Sequence, residues 1–173
     1  MMSASQKLLI SGGLILATVG MLYGLHFALF VEHQTLYGMG ASLTQGFVEA
    51  AGRHSAEAGT ALASYTHTKY IYVRQVDVHS HWIGLAMLLV VLGASFNYVS
   101  YSERVRLIVA LTLSVGAFLF PLGVWLQTVI SGPIPSALAI AGSALVTVAM
   151  ILTIFGFALT KSSGDLGINA KRT

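Results

Sequence analysis

The sequence predicts an all-α integral membrane protein, a four-helix bundle in a single domain over 1–173. Composition is the first reason: 55% of the residues are hydrophobic, only 9% are charged, and the mean hydropathy is +0.79. The second reason is four apolar runs, each near the roughly 20 residues that cross a bilayer. The predicted membrane helices cover about 8–31, 78–99, 107–130 and 136–160.

The positions of Lys and Arg predict the orientation of these helices. Four spans place six basic residues on one side of the membrane: Lys7, Arg104, Arg106, Lys161, Lys171 and Arg172. Because cytoplasmic loops carry an excess of Lys and Arg, we expect a multi-pass protein of the cell inner membrane with both termini cytoplasmic. Residues 161–173 would then form a cytoplasmic tail. The net charge of +3 is small, so the expected partner is the lipid bilayer and not nucleic acid.

The connections between the predicted helices are unequal in length. The links "SYSERVR" and "SGPIPS" are short, which predicts antiparallel neighbours. Residues 32–77 form a long outer loop between the first two helices. Within this loop, apolar and small residues recur at three- and four-residue intervals, which predicts an amphipathic helix on the membrane surface or across the bundle end. The stretch "YTHTKYIYVRQ" that follows has strand-like alternation.

Histidines in and beside the apolar runs are the candidate functional residues. His26 lies inside an uncharged span, in "YGLHFALF", where an unpaired polar group is costly, so it needs a partner. His79 and His81 begin the second helix. Successive helical residues turn by about 100°, so these two side chains project in nearly opposite directions. One of them is expected to face the bundle and the other the interface or a neighbouring subunit.

The chemistry open to these imidazoles is restricted by what the chain lacks. There is no Cys, which excludes thiolate-held clusters, and no Glu-x-x-His pair, which excludes a di-iron carboxylate centre. Zinc or copper held by three His and a haem with one or two axial His remain. The apolar bundle favours a haem over a compact polar site, with His79, His81 and His26 as the candidate ligands. Arg74 and Tyr72 are candidates to bind the propionates.

The stretch "VHSHWIGLAMLLVVLGASFNYVSYSERVRLIVAL" carries a resemblance to a known family. A His at the start of the second helix is followed by Ser80, by Met87 and by an acidic-basic turn over 103–106. In this pattern the chain resembles the small four-span membrane proteins typified by styrene oxide isomerase. The resemblance implies that His79 is an axial ligand of haem b, that subunits form a trimer, and that iron acts as a Lewis acid on an epoxide oxygen.

The chain departs from that family at the polar residues of the substrate pocket. Where the family has Asn, Asp, Asn and Tyr, this sequence has Leu85, Gly116, Phe120 and Val124. With the resemblance, we expect haem b, with His79 as the first choice of axial ligand, His81 as the second choice, and His26 opposite or in the distal pocket. An isomerase-like Lewis-acid enzyme is one function that such a site would serve. The alternatives are a bis-His electron-transfer or ligand-sensing module and a cofactor-free subunit. We also expect a homo-oligomer or membership of a larger membrane complex.

Overall fold

The computed structural model describes residues 2–159, which form helices joined by short turns, without a strand. The helices are α1 (Ala4–His26), a π-helical turn (Phe27–Val31), α2 (Glu32–Ala51), α3 (Ser55–Ser95), a 3₁₀ turn (Phe96–Tyr98), α4 (Glu103–Leu126) and α5 (Pro133–Ala158). Four helical rods are long and apolar enough to cross a membrane, which confirms the predicted number and indicates a multi-pass membrane protein. The predicted cytoplasmic tail lies outside the described residues.

The first two rods are much longer than a bilayer requires. α1, the π-helical turn and α2 form one helix of 48 residues, and α3 with the 3₁₀ turn forms another of 44. At about 1.5 Å per residue, these rods are roughly twice as long as α4, which has 24 residues. The parts of these rods that exceed the length of α4 are α2 and the first half of α3, and they pack on each other as an antiparallel hairpin. This hairpin extends beyond the end of α4.

The predicted outer loop over 32–77 is therefore wrong, because all of it is helical apart from the turn at 52–54. The spacing of three and four residues that suggested one surface helix belongs to two helices packed on each other. In α3, Ala58, Ala61 and Ser64 lie along this seam, as do Ser42 and Gly46 in α2. Pairing of the two helices outweighs the local strand-like alternation of "YTHTKYIYVRQ", which lies inside α3.

A tight turn joins α2 to α3 at the far end of the hairpin. The amide of His54 donates to the carbonyl of Glu49 (2.9 Å), and the amide of Arg53 donates to that of Ala50 (3.1 Å). This pair of hydrogen bonds is a Schellman motif, which requires a left-handed residue after the helix. Arg53 takes that conformation with φ of 61°, although Gly52 precedes it. The Nδ1 atom of His54 also lies 2.9 Å from a carboxylate oxygen of Glu49.

The bundle itself is two closely packed helix pairs, α1 with α3 and α4 with α5. Glycines allow the close approach in both pairs: Gly142 of α5 lies on the backbone of Phe120, and Gly13 of α1 lies on that of Ala86. At the end opposite the hairpin, the buried Gln6 side chain donates to the Gly93 carbonyl (3.2 Å) and accepts from Asn97 (2.8 Å). These contacts hold α1 in register against α3, which positions the site described next.

Candidate functional site: a groove beside His79

A groove of about 970 Å³ lies between α1 and α3, where α1 passes into the π-helical turn. Most of its walls are apolar side chains, and the polar residues are Thr18, Glu32, Tyr72 and His79. Its apolar residues are Met21, Leu22, Leu25, Phe27, Ala28 and Val76. The volume lies at the upper end of the range of roughly 300–1,000 Å³ that is typical of ligand pockets. Met21, Leu22 and Leu25 are more than half exposed, so the groove opens on the outer surface of the bundle.

His79 is held in one orientation by the backbone of α1. Its Nδ1 atom lies 3.0 Å from the carbonyl oxygen of Gly20, and its ring lies against Gly24. Because a carbonyl oxygen only accepts hydrogen bonds, Nδ1 carries the hydrogen and the neutral ring keeps its lone pair on Nε2. This is the arrangement found for metal-ligating imidazoles, in which one nitrogen donates to a carbonyl and the other is the ligand.

The π-helical turn sets which residue of α2 faces the groove. In a regular α-helix the residue four positions after the buried Phe27 shares its face, and that residue is Val31. The π turn closes five residues later instead, since the Glu32 amide donates to the Phe27 carbonyl. Glu32 therefore lines the groove, and it accepts a hydrogen bond from the Tyr72 hydroxyl at 3.4 Å. The ring of Tyr72 packs on Phe27, with 5.8 Å between centroids.

His81 and Arg74 lie on another side of α3. The Nδ1 atom of His81 donates to the Asp77 carbonyl one turn earlier (2.6 Å), and its ring meets Phe120 of α4 edge to face at 4.7 Å. Arg74 places its guanidinium over the ring of Tyr70, 5.4 Å from the centroid, and does not line the groove. His79 and His81 thus point to different helices, as helical geometry predicts. Of the two residues expected to bind propionates, only Tyr72 is beside His79.

His26 is not brought to the groove. Its ring is exposed and packs on Phe30 of the following turn, with 5.5 Å between centroids. Gly24 and Phe27 face α3 from the same stretch, and His26 lies between them on a different face of the helix. Among residues 2–159, no group of three or more His, Cys, Asp or Glu side chains is arranged to hold a metal ion. A three-histidine zinc or copper centre is therefore not formed by these residues within one copy.

Two features of the site were missed by sequence reasoning. The glycines Gly13, Gly20 and Gly24 recur at seven- and four-residue spacing along α1, which is a signal that this face meets another helix closely. Glu32 had no comparable signal, because its position in the groove depends on the π-helical turn. No protein-family model, curated protein or solved structure matches this chain. Function is therefore argued from the groove alone.

Proposed function

We propose that this chain is a multi-pass protein of the cell inner membrane that binds haem b in the groove, with His79 as the axial ligand. The observation that carries the proposal is the hydrogen bond from His79 Nδ1 to the Gly20 carbonyl, beside a large apolar groove. The bond selects the tautomer with a lone pair on Nε2, which is the form that ligates iron. The apolar walls suit the faces of a macrocycle.

The remaining groove residues restrict how such a group would be held. Glu32 is the one charged residue of the groove lining. Its carboxylate would repel the propionates, so the anionic edge of a bound haem would lie away from the Glu32–Tyr72 pair. Tyr72 would then contact the macrocycle with its ring, which already packs on Phe27. Met21, Leu22 and Leu25 would exclude water from the ring face, since they form the apolar rim of the groove.

A single histidine in the groove supports ligand binding over electron transfer. Haem iron held by one protein imidazole keeps a coordination position for an exogenous ligand, which is the chemistry that a gas sensor or Lewis-acid catalyst needs. His26 faces away from the groove and His81 faces α4. Neither of them is placed to become a second ligand beside His79. We therefore favour the ligand-binding form of the proposal over a bis-His module.

An absorption spectrum of the purified protein tests this proposal. The full chain would be produced with ample haem precursor, purified in mild detergent and examined for a Soret band. We expect bound haem in the wild type, its loss in His79→Ala and its retention in His81→Ala and His26→Ala. The absence of a Soret band from the wild-type protein would contradict the proposal. Full haem content in His79→Ala would show that the ligand is another residue.

A further inference from the structure

The hairpin of α2 and the first half of α3 has two chemically different sides. One side, here called the apolar side, carries Leu43 and Phe47 of α2 with Leu62 of α3, all of them exposed. The opposite side, called the polar side, carries Gln45, Glu49, Glu57, Thr60 and Ser64. The two sides lie on either side of the seam between the helices. An apolar surface of this kind on a helical projection is typical of an interaction site.

The hairpin has almost no core of its own. α2 contains no buried residue, and Ala61 is the only buried residue in the part of α3 that pairs with it. Its seam is made of small residues: a Cβ on Gly46 would lie 3.7 Å from that of Ala61, and the Ser42 and Ser64 hydroxyls lie 3.4 Å apart. Isolated helices depend on packing of an apolar face for stability in water. For the hairpin to be stable in water, a second surface must therefore pack against its apolar side.

The rest of the chain, as far as the structure describes it, does not supply that surface. α2 packs on α3 and on the π-helical turn, with no comparable contact to α4 or α5. Lipid does not supply it either. The 24 residues of α4 already cover about 36 Å, more than the hydrocarbon thickness of about 30 Å, and α2 continues α1 beyond that level. With α4 placed across a bilayer, the end of the hairpin therefore lies in water with its apolar side uncovered.

We propose that the partner is a second copy of this chain, packed apolar side against apolar side. The surface combines a hollow with large side chains at its edge. A hollow of about 280 Å³ is floored by small residues (Gly46, Ala50, Ala58 and Gly59) and flanked by large ones (Leu43, Phe47 and Leu62). The large residues of one hairpin fit the hollow of an identical hairpin, as in other packed helix pairs.

Charge distribution selects the same side. In a two-fold contact the same surface is used by both copies, so a side whose charges all have one sign brings like charges together and is destabilised. The polar side carries Glu49 and Glu57, which would be brought together with their copies. The hollow of the apolar side is lined by uncharged residues alone. A contact between identical copies is therefore favoured through the apolar side and opposed through the polar side. This inference is independent of haem binding.

Cross-linking in the membrane tests the proposal directly. The chain has no Cys, so Phe47→Cys and Gln45→Cys each introduce a single thiol, two residues apart and on different sides of the hairpin. With a short bis-maleimide reagent, we expect a band of twice the subunit mass from Phe47→Cys and at least a five-fold lower yield from Gln45→Cys. Equal yields from the two variants, or no product from Phe47→Cys, would overturn the proposal.

A second measurement uses charge to separate the copies. Phe47 and Val48 are adjacent and similarly exposed, at 69% and 61%, but only Phe47 lines the hollow. We expect Phe47→Glu to shift the detergent-corrected mass from light scattering to that of one chain, while Val48→Glu keeps the mass of the wild type. Circular dichroism of both variants verifies that the helices remain. An associated Phe47→Glu protein, or a wild type whose light-scattering mass is that of one chain, contradicts the contact.

Discussion

The imidazole of His79 lies directly against the backbone of Gly24, so that a Cβ atom on residue 24 would stand 2.5 Å from the ring carbon Cε1 and 2.6 Å from Nδ1. No other residue type leaves room for the ring in this position. The same ring makes the hydrogen bond to Gly20 that selects its tautomer. The first prediction follows from this contact.

Gly24→Ala is expected to displace the His79 ring and break its hydrogen bond to Gly20. Under the proposed function, the variant loses most of its bound haem, which the Soret absorbance per protein measures. Gly12→Ala in the same helix is the matched control, because its Cβ would meet only the Ser114 hydroxyl at an ordinary 3.6 Å. Equal haem content in the two variants would contradict the positioning of His79 by Gly24.

The π-helical turn is predicted to tolerate loss of one residue and not gain of one. Deleting the exposed Leu29 converts Phe27–Val31 to regular α-helix while α2 still presents its seam to α3. Inserting one Ala at the same place rotates α2 by about 100° and turns the seam away. Amide hydrogen exchange over 32–51 should be near that of the wild type in the deletion and much faster in the insertion. The reverse order would mean that the turn does not set the register.

Arg53→Gly is predicted to stabilise the hairpin. The left-handed conformation of Arg53 costs a side-chain-bearing residue about 1–2 kcal/mol, while glycine adopts it freely. Part of the gain is offset by the greater freedom of glycine in the unfolded chain, so we expect a net gain of roughly 0.5–1 kcal/mol. Thermal unfolding in detergent measures it. Arg53→Ala controls for loss of the guanidinium, and an equal gain in that variant would assign the effect to charge.

Gly142→Ala is predicted to separate α4 from α5. A methyl group there meets the backbone of Phe120, which cannot move aside as a side chain can. Overpacking of this kind costs typically about 1–3 kcal/mol, so the melting temperature should fall. Gly84→Ala is the control, since nothing lies within 4 Å of its added Cβ. If Gly84→Ala lowers the melting temperature as much as Gly142→Ala does, the close packing of α4 on α5 is not the cause.

The predicted bundle and the divergence of His79 and His81 rest on properties that are local in the chain. Four apolar runs indicate four spans because the length of a bilayer crossing depends only on consecutive residues, and residues 2–159 contain four such helices. Two residues separated by two positions diverge on any α-helix, and accordingly His79 meets Gly20 of α1 while His81 meets Phe120 of α4. Both predictions needed no knowledge of which helices pack together.

The partners of the candidate residues depended on helix pairing and could not be predicted in the same way. His26 was expected near His79, but α1 turns Gly24 and Phe27 toward α3 and leaves His26 exposed. Arg74 was expected to bind propionates together with Tyr72, but it lies over Tyr70 and does not line the groove. In each case the residue is helical as the local sequence indicates. Its direction relative to a second helix is set by how the helices pack, and the contacting residues, such as Gly24 and His79, are far apart in the chain.

The long helical hairpin shows the same limit on a larger scale. The repeat of apolar and small residues in 32–77 indicates helix, but a single periodic stripe does not say whether it meets a membrane or another helix. The structure decides this because α1 continues through the π-helical turn into α2 without a break, and Arg53 reverses the chain so that α3 returns along it. The sequence by itself determined the helices and their number, since hydropathy and periodicity are local. Only the tertiary structure placed Glu32 in the groove beside Tyr72, because one extra residue in a helical turn rotates everything after it.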